Sequence, residues 1–557
     1  MANRLDFNAL KTRAAQRVAE HADRDVMFQK LERMFLMMQD EERKVEDWIK
    51  VTLSPDPHVA VIGVVRLMTS TDPQFSIASD PDDPASVERA DKLEKVCETL
   101  WYRINRARQI PLHYEACLSA ALFAEVAILV ANVAETVKFA KTNGRDVGRM
   151  ERMAQECPYS VRVINPRCVY PEYDEFGLAS VLWRQVRRAG AVRQFWGKLA
   201  EKADLGDDKT LVTYNEYWDE KWRVVWCNDG DPILMERHGL PFLPWVCTTV
   251  TGSNLFDNPK HQRHPMLYPI LAGNWWHRQN LLLTQMFSSV GLLMQPAWEI
   301  NTIDGRDIPI DLSAPGQHIT LRTGESVKPL QRQLIDPSVQ VGLQYADKAM
   351  LVSTLPRVVF GESPGATMSY SAINLLSQAG RLPIVPVERQ VGKALSDAFL
   401  IVLHWIHESG EKLRLRGRNA IAEVAPSDID PDNLEVTVKL KADIPQDRLQ
   451  LANVVSLLRN QRGPDGMPLI SAETARQFLE FMQPGDEEQR IALELLMGKY
   501  LQEKLKAPLE RVEARQQQQP VGVPPVQLAP PVVPGTAEQQ ATLPEMGMFG
   551  EAESANY

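Results

Sequence analysis

The chain is short of the features that announce chemistry. Its six cysteines, Cys97, Cys117, Cys157, Cys168, Cys227 and Cys247, include no C-x-x-C pair. A zinc clasp or a thioredoxin-like dithiol therefore has no support, and free thiols in a reducing compartment are expected. The glycine-bearing stretch Gly361 to Gly365 lacks the Gly-Lys-Ser/Thr ending that cradles a phosphate, and no dinucleotide fingerprint is found. An excess of basic charge is missing too. With 62 Lys and Arg against 72 Asp and Glu the net charge is −10, which excludes a surface that grips nucleic acid by neutralising many phosphates and leaves only loose contact with DNA open. No hydrophobic run of signal-peptide type occurs in Met1 to Glu20, so export by that route is not expected.

Two apolar stretches call for a membrane test. Residues 118–134 contain Glu125 and Asn132 and are too short to span comfortably, so a buried helix and strand are expected. Residues 279–298 carry no charge at all, but they include Gln279, Asn280, Thr284, Gln285, Ser288, Ser289 and Gln295. Such a helix is expected to be enclosed by protein, and a neighbouring copy of the chain is an economical cover.

What is present is ordinary in bulk, 44% hydrophobic and 24% charged over 557 residues, which fits a globular, mixed α+β and predominantly helical chain. The first ~50 residues read as helix, with Phe28, Leu31, Phe35 and Met38 at helical spacing. The Asp80-Pro81-Asp82-Asp83-Pro84 loop precedes a second helix through Val87, Leu93, Val96 and Leu100. From Tyr159 to about Val250 the pattern becomes β-rich. Tyr214-Glu216-Trp218 and Trp222-Val224-Trp226, on either side of Asp219-Glu220-Lys221, predict a hairpin with one aromatic face. Beside Arg187, Arg188 and Arg193 that face could stack single-stranded nucleic acid, or it could be plain hairpin packing.

One helix is expected from Pro265 to about Leu293, short strands over 296–335, and a second helix from Pro337 to near Pro356 with Val339, Leu343, Ala346 and Met350 in a stripe. A flexible loop follows, and from about Ser369 a long helix kinked by Pro383 and Pro386 runs to about Glu411. A strand at 434–442 and helices at 446–460, 471–482 and 487–515 complete the ordered part. The Gln/Pro-rich residues 516–557 are expected to be disordered.

Candidate chemical sites are weak. Asp428, Asp430 and Asp432 imitate the start of a calcium loop, but Asn433 and Lys439 stand where Gly and Glu are needed, so capping is the better reading. His404 and His407 lack further ligands for a metal. Paired carboxylates at Glu41-Glu42 and Glu487-Glu488 fit polar helix faces. No enzyme, metal or cofactor is indicated. A nucleic-acid enzyme or motor would need an acidic cluster or phosphate loop, and a membrane-associated assembly scaffold would use residues 279–298.

With the segments placed, their order resembles the portal protein family of tailed bacteriophages, the head-to-tail connectors. Three passages carry the likeness: Val-Arg-Val-Ile-Asn-Pro-Arg-Cys-Val-Tyr-Pro at 161–171, Leu-Pro-Arg-Val-Val-Phe-Gly at 355–361 followed by Ser369-Tyr370-Ser371-Ala372, and Ile444-Pro445-Gln446-Asp447 through 469–474 to Asp486-Glu487-Glu488. It covers roughly residues 20 to 510. The resemblance implies a dodecameric ring at one capsid vertex, a conduit for DNA packaging and ejection. Residues 1–262 would be N-terminal helices and wing, 263–295 the first stem helix, 296–336 the clip and 337–358 the second stem helix. Residues 359–370 would be the tunnel loop, 371–445 a kinked helix and wing return, 446–515 the crown and 516–557 the tail.

Stem packing between subunits is assigned to Leu281, Leu282, Leu283, Met286, Phe287, Val339, Leu343 and Met350. The tunnel loop would present Gly361, Glu362, Ser363, Pro364, Gly365, Ala366, Thr367 and Met368 to double-stranded DNA, a surface without Lys or Arg on which DNA would slide. Asp304, Gly305, Arg306 and Asp307 would lie in the clip that docks terminase and later the head-to-tail adaptor. Other implied partners are the major capsid or scaffolding protein, with no membrane. The implied location is the virion, after assembly in the host cytoplasm.

Overall fold

Helical and strand periodicities alternate along the chain, and the structure sorts them into a helical core and a β-rich core. The structure is a computed structural model that describes residues 5–38, 49, 51–80, 82–143, 147–253, 255–294, 298–305, 320–329, 337–353, 382–417, 421–431, 433–440 and 456, and all structural statements concern these. The chain divides into two compact units, Met1–Gln446 and Asp447–Tyr557. Apart from Ser456, the predicted helices at 446–460, 471–482 and 487–515, the tail and the loop 359–370 lie outside the described residues.

Asp6 caps α1 (Phe7–Glu20) by accepting from the N–H groups of Asn8 and Ala9, and His21 alone separates it from α2 (Ala22–Phe35). The apolar face of α2 is buried at Phe28, Leu31 and Phe35 as the spacing predicts, but Met38 falls beyond the helix and is exposed. Next come α3 (Asp56–Met68), β1 (Gln74–Ile77), α4 (Pro84–Ala107), capped by Asp83, and α5 (Leu112–Phe123). The continuous apolar run after Ala124 forms β2 (Glu125–Asn132), buried on both faces, as such runs are when they lie mid-sheet. Asn132 then caps α6 (Val133–Thr142), which packs with α7 (Gly148–Glu156). The stretch tested as a membrane span is thus a core helix and strand, and among the described residues no helix is long and apolar enough to cross a membrane.

The β-rich part contains β3 (Tyr159–Ile164), β4 (Val169–Tyr173), β5 (Leu178–Arg188), α8 (Ala189–Trp196), β6 (Leu211–Asp219), β7 (Trp222–Cys227), β8 (Pro232–Arg237) and β9 (Trp245–Thr249). Strands β4 to β8 pair in sequence order as an antiparallel meander, and β2 is the middle of a sheet ordered β3-β2-β9. The expected β6–β7 hairpin forms, but its aromatic residues do not share a face. Asp219 accepts from the N–H groups of Lys221 and Trp222, closing a two-residue loop that pairs Tyr214 with Cys227 and Trp218 with Arg223. A three-residue loop would have put both triplets on one face. The loop one residue shorter shifts the register, and side chains alternate with period two. Tyr214 and Trp218 therefore join one core with Val181, Trp183 and Trp196, whereas Tyr217, Val224 and Trp226 meet α1 on the other side.

The predicted helix from Pro265 is broken. It forms α9 (Tyr268–Ala272) and α10 (Trp275–Met294), separated at Gly273 and Asn274. A Cβ on Gly273 would come within 2.2 Å of the Trp275 indole nitrogen, and Asn274 takes φ 52°, so the chain turns sharply there. Then follow β10 (Trp298–Asn301), β11 (Ser326–Pro329), paired antiparallel, and α11 (Pro337–Ser353).

Residues 382–384 form a turn, and α12 (Val385–Ser409) begins only after it. Pro386 stands in its first turn and does not kink it, because an N–H there has no helical partner to lose. Val391, Leu395, Phe399, Val402, Leu403 and Ile406 are fully buried along α12. Each is worth about 1.5–3 kcal/mol on burial, so packing holds this helix far more than propensity does. Gly410 ends it in the left-handed region at φ 64°. The hairpin β12 (Leu413–Arg416) and β13 (Ile421–Val424) and the strand β14 (Val436–Lys439) close the unit, and β14 pairs with β1 across the sequence.

Candidate functional site

A buried charge network precedes the hairpin made by α10, β10, β11 and α11. Arg24 has no exposed side-chain surface; it pairs with Asp25 at 2.9 Å and Glu125 at 3.4 Å and donates to the carbonyls of Pro166 and Val169. Arg263 donates to the other oxygen of Glu125. Two arginines and two carboxylates thus join α2, β2, β4 and the loop leading to α9. Breaking such a network costs about 3–5 kcal/mol because it strands a buried charge. Gly252 lets that loop close, since a Cβ there would lie 1.9 Å from the carbonyl oxygen of Gln262. His21 beside the network is depressed to about 4, by its burial and then by Arg24.

Within the hairpin, α10 buries a row of polar side chains. Trp276, Asn280, Thr284 and Ser288 recur every four residues, and the last three are buried. Trp276, Asn280 and Thr284 bond to residues 52–54, just before α3. The Ser54 N–H donates to Asn280 Oδ1 at 2.7 Å, the Thr52 N–H donates to Thr284 Oγ1 at 3.1 Å, and the Trp276 indole donates to the Ser54 carbonyl at 3.0 Å. Gln279 Nε2 donates to Asp56 Oδ2 at 2.9 Å and to Asp347 Oδ1 at 2.7 Å. At about 0.5–1.5 kcal/mol net each, these bonds anchor α10 through its polar side.

The apolar residues assigned to stem packing range from buried to exposed in the single chain. Leu281, Leu282, Leu283 and Met286 are half-buried and Phe287 is 49% exposed; on α11 Val339 and Leu343 are half-buried and Met350 is buried. Leu282 meets Gly342 of α11 in the same chain, where a Cβ would stand 3.5 Å from Leu282 Cδ1, and Trp275 packs edge-on against Tyr345. Phe287, Val290, Val341 and Tyr345 remain open to solvent, the last two at 65% and 64% exposure. The sequence reading missed the buried polar row and its partner at 52–56. The signal was there: a charge-free helix with short polar side chains at a spacing of four.

Asp304 pairs with Arg322 at 2.8 Å beside Gly305, which sits at φ 63°. Arg306, Asp307 and the whole loop Gly361–Met368 lie outside the described residues. The loop spells Gly-Glu-Ser-Pro-Gly, the serine-hydrolase pattern G-x-S-x-G. Pro364 directly after the serine has no N–H to contribute to an oxyanion hole, so the spelling carries no hydrolase chemistry.

Other candidates are used structurally. Arg187 lies over the rings of Trp183 and Tyr214 at 4.8 and 4.0 Å, but both rings are buried, which leaves packing rather than a nucleic-acid platform; Arg193 pairs with Asp208 at 2.5 Å. Asp428 accepts from the Ala425 N–H and from Lys92. His404 packs on Phe242 while His407 engages the Pro426 carbonyl, so the two do not converge. Glu216 is buried, yet Arg223 and hydrogen bonds from Tyr214 and Trp218 outweigh burial and hold it below the usual carboxylate range. Among the described residues no group of three or more His, Cys, Asp or Glu is placed to hold a metal.

No protein-family model matches the chain, and no curated protein does. Among solved structures it is similar to a chain from the neck of the native GTA particle computed with C12 symmetry, with 12% identity and a TM-score of 0.39 over 77% of this chain and 90% of that one. A chain from the neck of the empty GTA particle computed with C6 symmetry gives 14% and 0.38 over 81% and 98%. A chain from the virion of the native gene transfer agent particle gives 13% and 0.37 over the same shares. All three are chains from the neck or virion of a gene transfer agent particle.

Proposed function

We propose that the chain is a subunit of a homo-oligomeric portal ring at a capsid vertex, with the hairpin of α10, β10, β11 and α11 as its stem and clip. The observation that carries this is the arrangement of the hairpin. Its polar side is engaged within the chain, and its apolar side, with Phe287, Val290, Val341 and Tyr345, is left uncovered. A second copy presenting a complementary apolar surface covers it, and copies related head-to-tail close into a ring. The acidic balance and the tunnel-loop residues 361–368, without Lys or Arg, suit a channel along which double-stranded DNA slides. Terminase, the head-to-tail adaptor and capsid or scaffolding protein are the partners such a ring would dock.

Negative-stain images and light scattering of the purified chain test this reading. A ring with a central channel and a mass near twelve times 62.9 kDa is expected. A monomer at every concentration reached would overturn it. Deleting residues 361–366 is expected to spare the ring and abolish packaging, and normal packaging in that particle would remove the tunnel-loop assignment.

A further inference from the structure

We propose that Arg162 and Arg187 form a site for a dianionic oxyanion of the phosphate class, in the recess between the β3-β2-β9 sheet and the face of the meander that carries Trp183 and Tyr214. The register brings the two arginines there. Arg162 of β3 stands opposite Leu129 of β2, which stands opposite Trp245 of β9, so the three share one face. Leu129 and Trp245 pack in one core with Trp183 and Tyr214, which turns that face towards β5 and β6. On β5, Arg187 lies on the same side as Trp183, and its guanidinium sits over the rings of Trp183 and Tyr214 at 4.8 and 4.0 Å. Glu216, Arg187, Tyr214 and Arg108 all act on the charge of Arg162. Arg162 is exposed, yet loss of hydration is the first cause that holds its guanidinium below the usual arginine range. An exposed side chain that is poorly hydrated sits in a recess, not on an open surface.

Both arginines lack an anion. Among the described residues neither forms an ion pair with a carboxylate, and Arg187 meets the neutral amide of Gln185, whose oxygen accepts from it. The carboxylates close by are already engaged: Glu216 accepts from Tyr214, from Trp218 and twice from Arg223, and Arg108 pairs with Glu115. The indole N–H groups of Trp183 and Trp245 are buried without an acceptor as well, so the region holds more donors than acceptors whichever way the indoles point. Two uncompensated cations side by side repel. One dianion neutralises both, whereas a single carboxylate or phosphodiester leaves one charge over. A guanidinium lying over a ring keeps its N–H edge free, and its fork matches the oxygens of a phosphate. The rings beneath Arg187 are buried, so no nucleobase stacks there and recognition is of the phosphate group alone.

Calorimetric titration of the full chain with inorganic phosphate, at constant ionic strength in chloride, tests the proposal. Saturable binding is expected, with competition from sulfate. Arg162→Gln should weaken it at least about tenfold, the weight of one hydrogen bond to a charged group. In phosphate-free buffer the same variant should melt no lower than wild type, because it relieves the repulsion from Arg187 and Arg108. Arg184→Gln removes the same charge from the opposite face of β5 and should bind phosphate like wild type. A 5′-mononucleotide that binds as well as phosphate would make a terminal phosphoester the source, and one that binds more weakly would make it free phosphate; both support the site. The proposal is overturned by no binding beyond chloride, by equal losses in Arg162→Gln and Arg184→Gln, by an Arg162→Gln protein that melts well below wild type without phosphate, or by a phosphodiester dinucleotide that binds as tightly as phosphate.

Discussion

Replacing Phe287 with Asp separates the two sides of α10. Phe287 is 49% exposed in the single chain. A phenylalanine presents about 200 Å2, so about 100 Å2 is left to be covered, worth about 2.5 kcal/mol at ~25 cal/mol per Å2. That is roughly a 70-fold loss of association at each subunit contact before the penalty for burying a carboxylate is added. The protomer should hardly notice, because exposed substitutions away from special features stay within about 0.5 kcal/mol. Urea denaturation should therefore give a wild-type midpoint while mass photometry shows the assembly dissociated. Leu282→Asp should behave oppositely, lowering the denaturation midpoint, because Leu282 packs on Gly342 of its own chain. If Phe287→Asp assembles to full mass at wild-type concentrations, the apolar face is not a subunit interface.

Two further tests concern the fold. Gly342→Ala should stabilise by about 0.5–1 kcal/mol, since its Cβ meets only an ordinary contact at 3.5 Å and a helical glycine is removed. Gly392→Ala should destabilise despite the same helical gain, because its Cβ would lie 2.6 Å from the Val438 carbonyl and force α12 off β14; a melting temperature at or above wild type for that variant would refute the close approach. His21 is depressed from 6.5 to about 4 in the folded chain, so the unfolded state binds more protons between those values. Its contribution is intact above pH 6.5 and falls away towards pH 4, by up to about 3 kcal/mol. His21→Gln should flatten the change in urea midpoint between pH 7 and 4.5, and an unaltered slope would show that His21 does not drive it.

Where one period governed one element, the sequence was legible. The stripe Val339, Leu343, Ala346 and Met350 forecast α11, and the run Val126 to Val130 forecast a buried strand. Failures came where a single residue decided geometry. Asn274 in the left-handed region broke the helix expected from Pro265, and the Asp219 turn moved the β6–β7 register by one residue. Absence of charge on α10 was read as a helix enclosed by protein with a neighbouring copy as its cover, but its buried row is Asn280, Thr284 and Ser288, and the partners of Asn280 and Thr284, Ser54 and Thr52, lie more than 200 residues earlier. Pairings of that separation leave no mark on local periodicity. The same holds for Gln279, which looks like a solubilising side chain until Asp56 and Asp347 stand beside it.

The pairing of β1 with β14 has a consequence for synthesis. Phe75 and Ile77 line the helical core, but the strand that covers their edge pairs Ile77 with Val436 and Gln74 with Lys439. At about 5–20 residues per second a ribosome needs roughly 20–70 s to reach the second strand after making the first. For that interval the amino-terminal helices leave the ribosome with an open edge and without α12, the central helix of their own core. A nascent chain so exposed is a natural client for a holding chaperone, and completion of this edge waits for the arrival of β14.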